Sequence, residues 1–98
     1  MTGSQNAMID VVPAQVADVR VEVIEGELLL YHPLDTRAIY LNPSAAVIWS
    51  LCDGHRRIRD IIALIEEGYP ESKEHLVEEV FATVTQLRDS GVLSTKQA

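Results

Sequence analysis

Residues 37–54, RAIYLNPSAAVIWSLCDG, hold a strand, a helix and the turns that bound them. The apolar residues at the start of this stretch predict a strand. Asn42 and Pro43 mark the beginning of a helix, because Asn is a preferred N-cap and Pro suits the first helical position. Asp53-Gly54 ends that helix, since Gly adopts the left-handed conformation at little cost. The stretch therefore predicts one strand that leads directly into one helix.

Two more strands are predicted upstream. Val19, Val21 and Val23 alternate with mostly polar neighbours, which is typical of a strand with one face on a core. Residues 28–31, LLLY, are apolar on both faces and lie between turn residues, so they predict a central strand. Because the connections are short, we expect the three strands to form an antiparallel sheet.

Two more helices are predicted downstream. The first of these has isoleucines at helical spacing from Ile58 onward and ends at Gly68. A Tyr-Pro pair then breaks the chain, and Ser72 is the predicted cap of the third and longest helix. Gly91 ends that helix as a left-handed residue, and the valine after it is expected to pack back on the helix in a Schellman motif.

These elements predict an α+β fold, a winged helix-turn-helix-like domain in which an N-terminal three-stranded antiparallel sheet is followed by three helices. A chain of 98 residues has room for one domain, which we place at residues 15–94. Residues 1–14 are polar or small and predict a flexible tail, and residues 95–98 predict a C-terminal tail.

Composition narrows the function classes. The net charge of −7 disfavours binding to nucleic acid or to an anionic membrane surface. The sequence shows no run long enough to span a bilayer and no secretory signal, so we expect a cytoplasmic protein. Isolated glycines, widely spaced histidines and a single cysteine form no phosphate-binding, metal-binding or iron–sulfur motif. The sequence therefore predicts neither a cofactor nor a metal site.

Two other function classes stay open at this point. A winged helix suggests a small DNA-binding transcriptional regulator, but four glutamates between Glu71 and Glu79 make the predicted recognition helix acidic. The second class is an enzyme in which Cys52 is the nucleophile and a distant histidine is the base. A lone cysteine inside an apolar run is, however, typical of a small core residue.

A basic cluster lies at the start of the second helix. Its members are His55, Arg56, Arg57 and Arg59. Cations at a helix N-terminus are locally unfavourable, so they require compensation. Asp60, Glu66 and Glu67 are the nearby carboxylates that would supply it, and an anionic partner is the alternative.

A binding groove is predicted between the third strand and the third helix. The strand lies at the open edge of the sheet or beside the first strand, and an exposed edge invites another chain. The apolar arc of the helix is wider than one small core needs, and Val77, Phe81 and the stem of Arg88 share its surplus flank. An extended peptide would gain main-chain bonds from the strand, with the amide of Ile39 as a candidate donor, and side-chain pockets from the helix. Alternatively, these helix residues pack under the first helix.

The predicted peptide-binding residues are Arg37, Ala38, Ile39, Tyr40, Leu41, Val77, Phe81, Val84 and Arg88. Because the same strand edge can pair with another copy, we expect a monomer or a weak dimer.

Four stretches together carry a resemblance to a known family: RAIYLNPSAAVIW at residues 37–49, LCDG at 51–54, the isoleucine-rich run at 61–65, and LRDSGVL at 87–93. In this order and spacing they resemble the PqqD-like proteins, also called RiPP recognition elements. The resemblance covers residues 15–94, nearly the whole chain.

The resemblance implies a peptide chaperone with no catalytic residue of its own. Its relatives bind the leader segment of a ribosomally synthesised precursor peptide as an added strand between the third strand and the third helix. They present it to a modifying enzyme, often a radical SAM enzyme or a leader peptidase. LCDG is shared with PqqD proper, which serves pyrroloquinoline quinone synthesis, whereas Trp49 is shared with the broader family, including the lasso-peptide branch. The resemblance therefore leaves the pathway open, and it makes the basic cluster from His55 to Arg59 a candidate docking site for the enzyme.

Overall fold

The computed structural model describes residues 8–34, 37–70 and 73–97. In chain order the elements are β1 (Val11–Gln15), β2 (Arg20–Ile24), β3 (Glu27–Tyr31), β4 (Ala38–Leu41), α1 (Pro43–Leu51), α2 (Ile58–Gly68), α3 (Lys73–Asp89) and β5 (Leu93–Gln97). No helix within these ranges is long and apolar enough to cross a membrane.

The predicted three-stranded antiparallel sheet is confirmed, with the strand order β2-β3-β4. Glu25 and Gly26 connect β2 to β3, and both have positive φ angles, 49° and 85°. Two such residues in a two-residue loop form a type I′ turn, whose twist matches that of the flanking strands. Leu30 of the central strand lies opposite Val21 on one side and Ile39 on the other. The hairpin therefore sets the register that places apolar side chains on the inner face of the sheet.

The helices begin and end by the local signals that the sequence contains. The Asn42 side chain accepts a hydrogen bond of 2.9 Å from the Ala45 amide and so caps α1. At the other end of the helical region, Gly91 has a φ of 84°. The Val92 amide donates to the Leu87 carbonyl at 3.1 Å, which is the closing bond of the predicted Schellman motif. The predicted cap of α3, Ser72, lies outside the described residues.

The core lies between the inner face of the sheet and the three helices. Leu30 from β3, Ile48 from α1, Ile61 from α2 and Val84 from α3 are buried in it. Cys52 is also buried there, and its thiol donates to the Ile48 carbonyl at 3.1 Å. Such a shared core fixes the position of α3 relative to the sheet, which sets the geometry of the surface between them.

The structure corrects the predicted tails at residues 1–14 and 95–98. β1 and β5 pair antiparallel, with Pro13 opposite Thr95, so residues 11–14 and 95–97 are strands. Further backbone bonds hold β1 against the domain, among them Gly54 to the Pro13 carbonyl at 3.0 Å and Gln15 to the Cys52 carbonyl at 3.1 Å. The sequence pattern indicated β1 only weakly, because this strand contains a proline and its partner strand, β5, is distant in the chain. Residues 1–7 lie outside the described part.

Candidate functional site

The third strand of the sheet, β4, is an edge strand. Its four residues pair with β3 on one side, Ile39 opposite Leu30 and Leu41 opposite Leu28. In the described part of the chain, no strand pairs with the opposite edge of β4. An edge of this kind presents backbone donors and acceptors that can pair with an added strand.

The turn between β2 and β3 determines which backbone groups of β4 point outward. In a two-residue hairpin the residues that flank the turn exchange both backbone bonds, and bonded and non-bonded pairs then alternate. The groups of Leu28 and Leu30 therefore point toward β4, where they meet Leu41 and Ile39. Hence the backbone groups of Ala38 and Tyr40 point away from the sheet, and the amide of Ile39 lies inside it. The prediction that Ile39 donates to an added strand is corrected to Ala38 and Tyr40.

The side chains of β4 alternate between the core and the solvent. Leu41 is buried and Ile39 is half-buried on the inner face, while Ala38 and Tyr40 lie on the outer face. Tyr40 is 56% exposed. A hydrogen bond to the Glu27 carboxylate raises the pKa of the Tyr40 hydroxyl. The outer face of β4 therefore carries an exposed aromatic side chain beside the open edge.

The flank of α3 forms the second wall. Phe81 is 9% exposed and belongs to the core, whereas Val77 is 40% exposed and keeps apolar surface of this flank outside the core. A shallow depression runs along it, lined by Glu78, Phe81, Ala82, Thr85, Gln86, Asp89 and Ser90.

A second depression joins the strand to the helix. It has a volume of about 290 Å³ and is lined by Arg37, Ala38, Ile39, Asp89 and Ser90. Asp89 and Ser90 line both depressions, so the two adjoin at the C-terminal end of α3. We call the combined space between β4 and the exposed flank of α3 the edge groove.

The structure places the predicted peptide-binding residues in three settings. Arg37, Ala38, Ile39 and Phe81 line the edge groove. Leu41 and Val84 are buried in the core. Tyr40, Val77 and Arg88 are exposed beside it, and Arg88 forms an ion pair of 3.4 Å with Asp89.

Sequence reasoning missed the polar members of the helical wall. Glu78, Thr85 and Gln86 lie on the flank beyond Phe81, with the small apolar Ala82 among them. Their helical spacing could have identified them, because residues three and four apart share one face of a helix. The edge groove is therefore apolar at its base near Phe81 and polar along its outer rim.

Comparison with known proteins decides the family. The profile described as Coenzyme PQQ synthesis protein D (PqqD) matches residues 27–93. The chain belongs to the PqqD family. The matched region of this PqqD-family domain extends from β3 to the first residue of β5, so it contains both walls of the edge groove. The resemblance in the sequence is thereby confirmed.

A solved structure confirms the fold of this PqqD-family domain. The domain matches the structure "TbiB1 in Complex with the TbiA(beta) Leader Peptide" with a TM-score of 0.71 and 20% sequence identity. The match covers 83% of this chain and 94% of the other. No curated protein matches the chain's sequence.

The basic cluster of the PqqD-family domain is compensated within the chain. Arg56 pairs with Asp53 at 2.9 Å, and Arg59 pairs with Asp10 at 2.7 Å. The carboxylate of Asp60 accepts the backbone amide of Arg57 at 3.0 Å. Asp53 and Asp10 are therefore the partners of two arginines, whereas the sequence pointed to Asp60, Glu66 and Glu67. Exposed pairs of this kind are weak, so they leave these side chains able to exchange partners.

The only cysteine of the sequence is unsuited to nucleophilic chemistry. Burial, and secondly the charge of Asp53, raises the pKa of the Cys52 thiol to about 12. A thiol with such a pKa stays protonated at neutral pH, and the thiolate is the reactive form. Within the described ranges, no group of three or more His, Cys, Asp or Glu side chains is arranged to hold a metal ion.

Proposed function

We propose that this PqqD-family domain is a non-catalytic adaptor that binds the leader segment of a ribosomally synthesised precursor peptide. The leader adds to β4 as a further antiparallel strand and lies in the edge groove. The observation that carries this proposal is the open edge of β4 beside the exposed flank of α3, joined by the residues at the end of the helix.

The backbone of β4 supplies the affinity in this arrangement. Ala38 and Tyr40 direct their amides and carbonyls outward, and these groups pair with every second residue of the added strand. Because the side chains of a strand alternate between two faces, one set of leader side chains points toward Phe81 and the other lies along Tyr40. The domain thus selects a leader with apolar residues at alternate positions.

Family membership and the solved relative support the same role. In the matched structure, TbiB1 is in complex with a leader peptide. Residues 27–93, which match the PqqD profile, hold both walls of the groove of this chain. The pathway that fits is pyrroloquinoline quinone biosynthesis or the synthesis of a related peptide-derived product.

Chemistry on the precursor belongs to a partner enzyme, a radical SAM enzyme or a leader peptidase. The buried Cys52 thiol has no role in this function, because its raised pKa of about 12 keeps it protonated. The exposed His55, Arg57 and Arg59 together with Arg56 form the surface that we assign to enzyme docking. Their carboxylate partners lie on the surface, so an acidic segment of the enzyme can replace them.

Regulation of transcription is the competing function for a winged helix. Here Glu78 and Glu79 are exposed on α3, the helix that would enter the major groove of DNA. Carboxylates at that position repel phosphates. A salt-dependent mobility shift with duplex DNA near physiological ionic strength would support the regulator instead.

Backbone-modified peptides test strand addition directly. The probe is a synthetic peptide with the leader sequence encoded beside the chain's own gene, together with variants N-methylated at one residue each. Removing an amide that donates to β4 is expected to weaken binding roughly tenfold or more, because a bond is lost and the methyl group blocks the pairing. Isothermal titration should therefore show losses at every second residue of the bound segment. A uniform tolerance of N-methylation in a peptide that still binds would contradict strand addition.

A further inference from the structure

The other edge strand, β2, exposes apolar side chains on the inner side of the sheet. All five of its residues are exposed, and Val21 and Val23 on its inner face are 42% and 71% exposed. Within the described part of the chain, no strand covers the outer edge of β2. Exposed apolar edges promote pairing with another chain unless they are blocked, and β2 contains no proline and no bulge that would block it.

The backbone of β2 limits the ways in which a strand can pair with it. Ile24 and Glu27 flank the two-residue turn, so Ile24 directs its backbone groups toward β3. Alternation then directs the groups of Val21 and Val23, and those of Val19 just before the strand, away from the sheet. A partner strand must bring its own outward-pointing residues opposite these three.

The twofold-symmetric registers of β2 with a second β2 that are centred on Arg20, Val21 and Glu22 all satisfy this condition, and their charges distinguish them. A register centred on Arg20 places two arginines opposite each other, and one centred on Glu22 places two glutamates opposite each other. Like charges in directly opposed positions are destabilising. The register centred on Val21 instead places Arg20 opposite Glu22 twice.

The same register also matches the apolar residues. Val21 then lies opposite Val21 of the second copy, and Val19 of each copy lies opposite Val23 of the other. These three pairs fall on the inner face, while the two ion pairs fall on the outer face, because opposed residues in antiparallel strands share a face. Apolar and charged residues are therefore complementary in one register and in no other of the three.

From this complementarity we propose that a second copy of this chain pairs with the outer edge of β2 around a twofold axis at Val21. The two sheets become one six-stranded antiparallel sheet. β4 lies at the far edge of each half, so both edge grooves stay open. This assignment is independent of the proposed peptide binding.

The existing contacts of Arg20 and Glu22 fit this arrangement. The Arg20 guanidinium lies 4.7 Å from the centre of the Tyr31 ring, which holds it on the outer face. The Tyr31 hydroxyl donates to Oε1 of Glu22 at 2.9 Å, which holds that carboxylate on the same face. Tyr31 thus positions both charged groups beside the edge where the second copy pairs.

Charge reversal tests the register. The chain, the variants Arg20→Glu and Glu22→Arg, and the double variant are compared by sedimentation velocity over a concentration series that reaches the millimolar range. A five-residue strand pair is smaller than a stable interface, so the dimer of the unmodified chain should be weak and dependent on concentration. Each single variant brings like charges together twice and should associate at least tenfold more weakly. The double variant restores both ion pairs and should dimerise as the unmodified chain does.

A mixture of the two single variants is the decisive arm. Arg20→Glu carries two acidic residues on its edge and Glu22→Arg carries two basic ones, so the mixture should form a heterodimer although each variant alone stays monomeric. Circular dichroism of each variant checks that the fold is intact. A monomeric unmodified chain at the highest concentration would overturn the proposal. Dimers of either single variant alone would also overturn it, because they would place the interface elsewhere. A mixture of the two single variants that fails to associate would overturn it as well.

Discussion

Replacing Ala38 with proline should separate peptide binding from folding. Ala38 is the first residue of β4, a position where a sheet tolerates proline. Its amide points away from the sheet, so the substitution removes a donor that no backbone group of the described chain uses. We therefore expect the free energy of unfolding to change by less than about 1 kcal/mol.

The cost to peptide binding follows from the same geometry. The variant loses one backbone hydrogen bond to the leader, worth about 1 kcal/mol net, and leaves the leader carbonyl unpaired, which costs about 1–3 kcal/mol more. A total of about 2–4 kcal/mol weakens binding roughly 30-fold to 1,000-fold. The matched control is Ala38→Ser, which keeps the amide and should bind as the unmodified chain does.

The assay is fluorescence anisotropy of a labelled leader peptide, with thermal unfolding of each variant followed in parallel. Ile39→Pro is expected to behave differently: the amide of Ile39 is bonded within the sheet, so its loss should destabilise the fold itself. If Ala38→Pro bound the leader as tightly as Ala38→Ser while both stayed folded, the orientation of the β4 edge or strand addition itself would be wrong.

Three further predictions concern the fold and the excluded chemistry. Gly91→Ala should lower the free energy of unfolding in urea by about 1–2 kcal/mol, because Gly91 has a φ of 84°, which strains a residue with a Cβ. Gly68→Ala, at a helical position with open space around the added Cβ, should not be destabilising. Cys52→Ala should retain leader binding in the anisotropy assay, and a loss of binding in a folded variant would revive a role for the thiol. The pKa of Asp53 is lowered, chiefly by the hydrogen bond from the His55 amide at 2.9 Å. Ionised Asp53 therefore stabilises the fold above its unfolded-state pKa, and the stability advantage over Asp53→Asn should disappear as the pH falls through the folded-state pKa; an advantage that persisted in acid would contradict this cause.

Local backbone signals in the sequence predicted most of the elements. Asn42 before Pro43 and Gly91 before Val92 act within a few residues, through a cap and a Schellman motif, so they can be identified without knowledge of the rest of the fold. The pairing of β1 with β5 could not be identified in this way. Its partners are at opposite ends of the chain, and Pro13 obscures the strand pattern.

The candidate site was predictable in outline and not in detail. The sequence placed a groove between a strand and the flank of a helix that carries Phe81. It could not show that Ile39 turns its amide into the sheet, because that depends on the parity of residues counted from the turn at Glu25. Nor could composition show that Thr85 and Asp89 line the groove, since polar residues on an amphipathic helix are usually solvated.

Amide hydrogen exchange by NMR reports directly on whether β4 accepts an added strand. In the free domain the amides of Ala38 and Tyr40 point outward from the sheet edge and should exchange quickly, whereas the amide of Ile39 should be protected. Saturation with the leader peptide should slow the exchange of Ala38 and Tyr40 at least tenfold, because both amides then donate to the added strand. Unchanged exchange at both residues in the saturated complex would contradict leader binding by strand addition to β4.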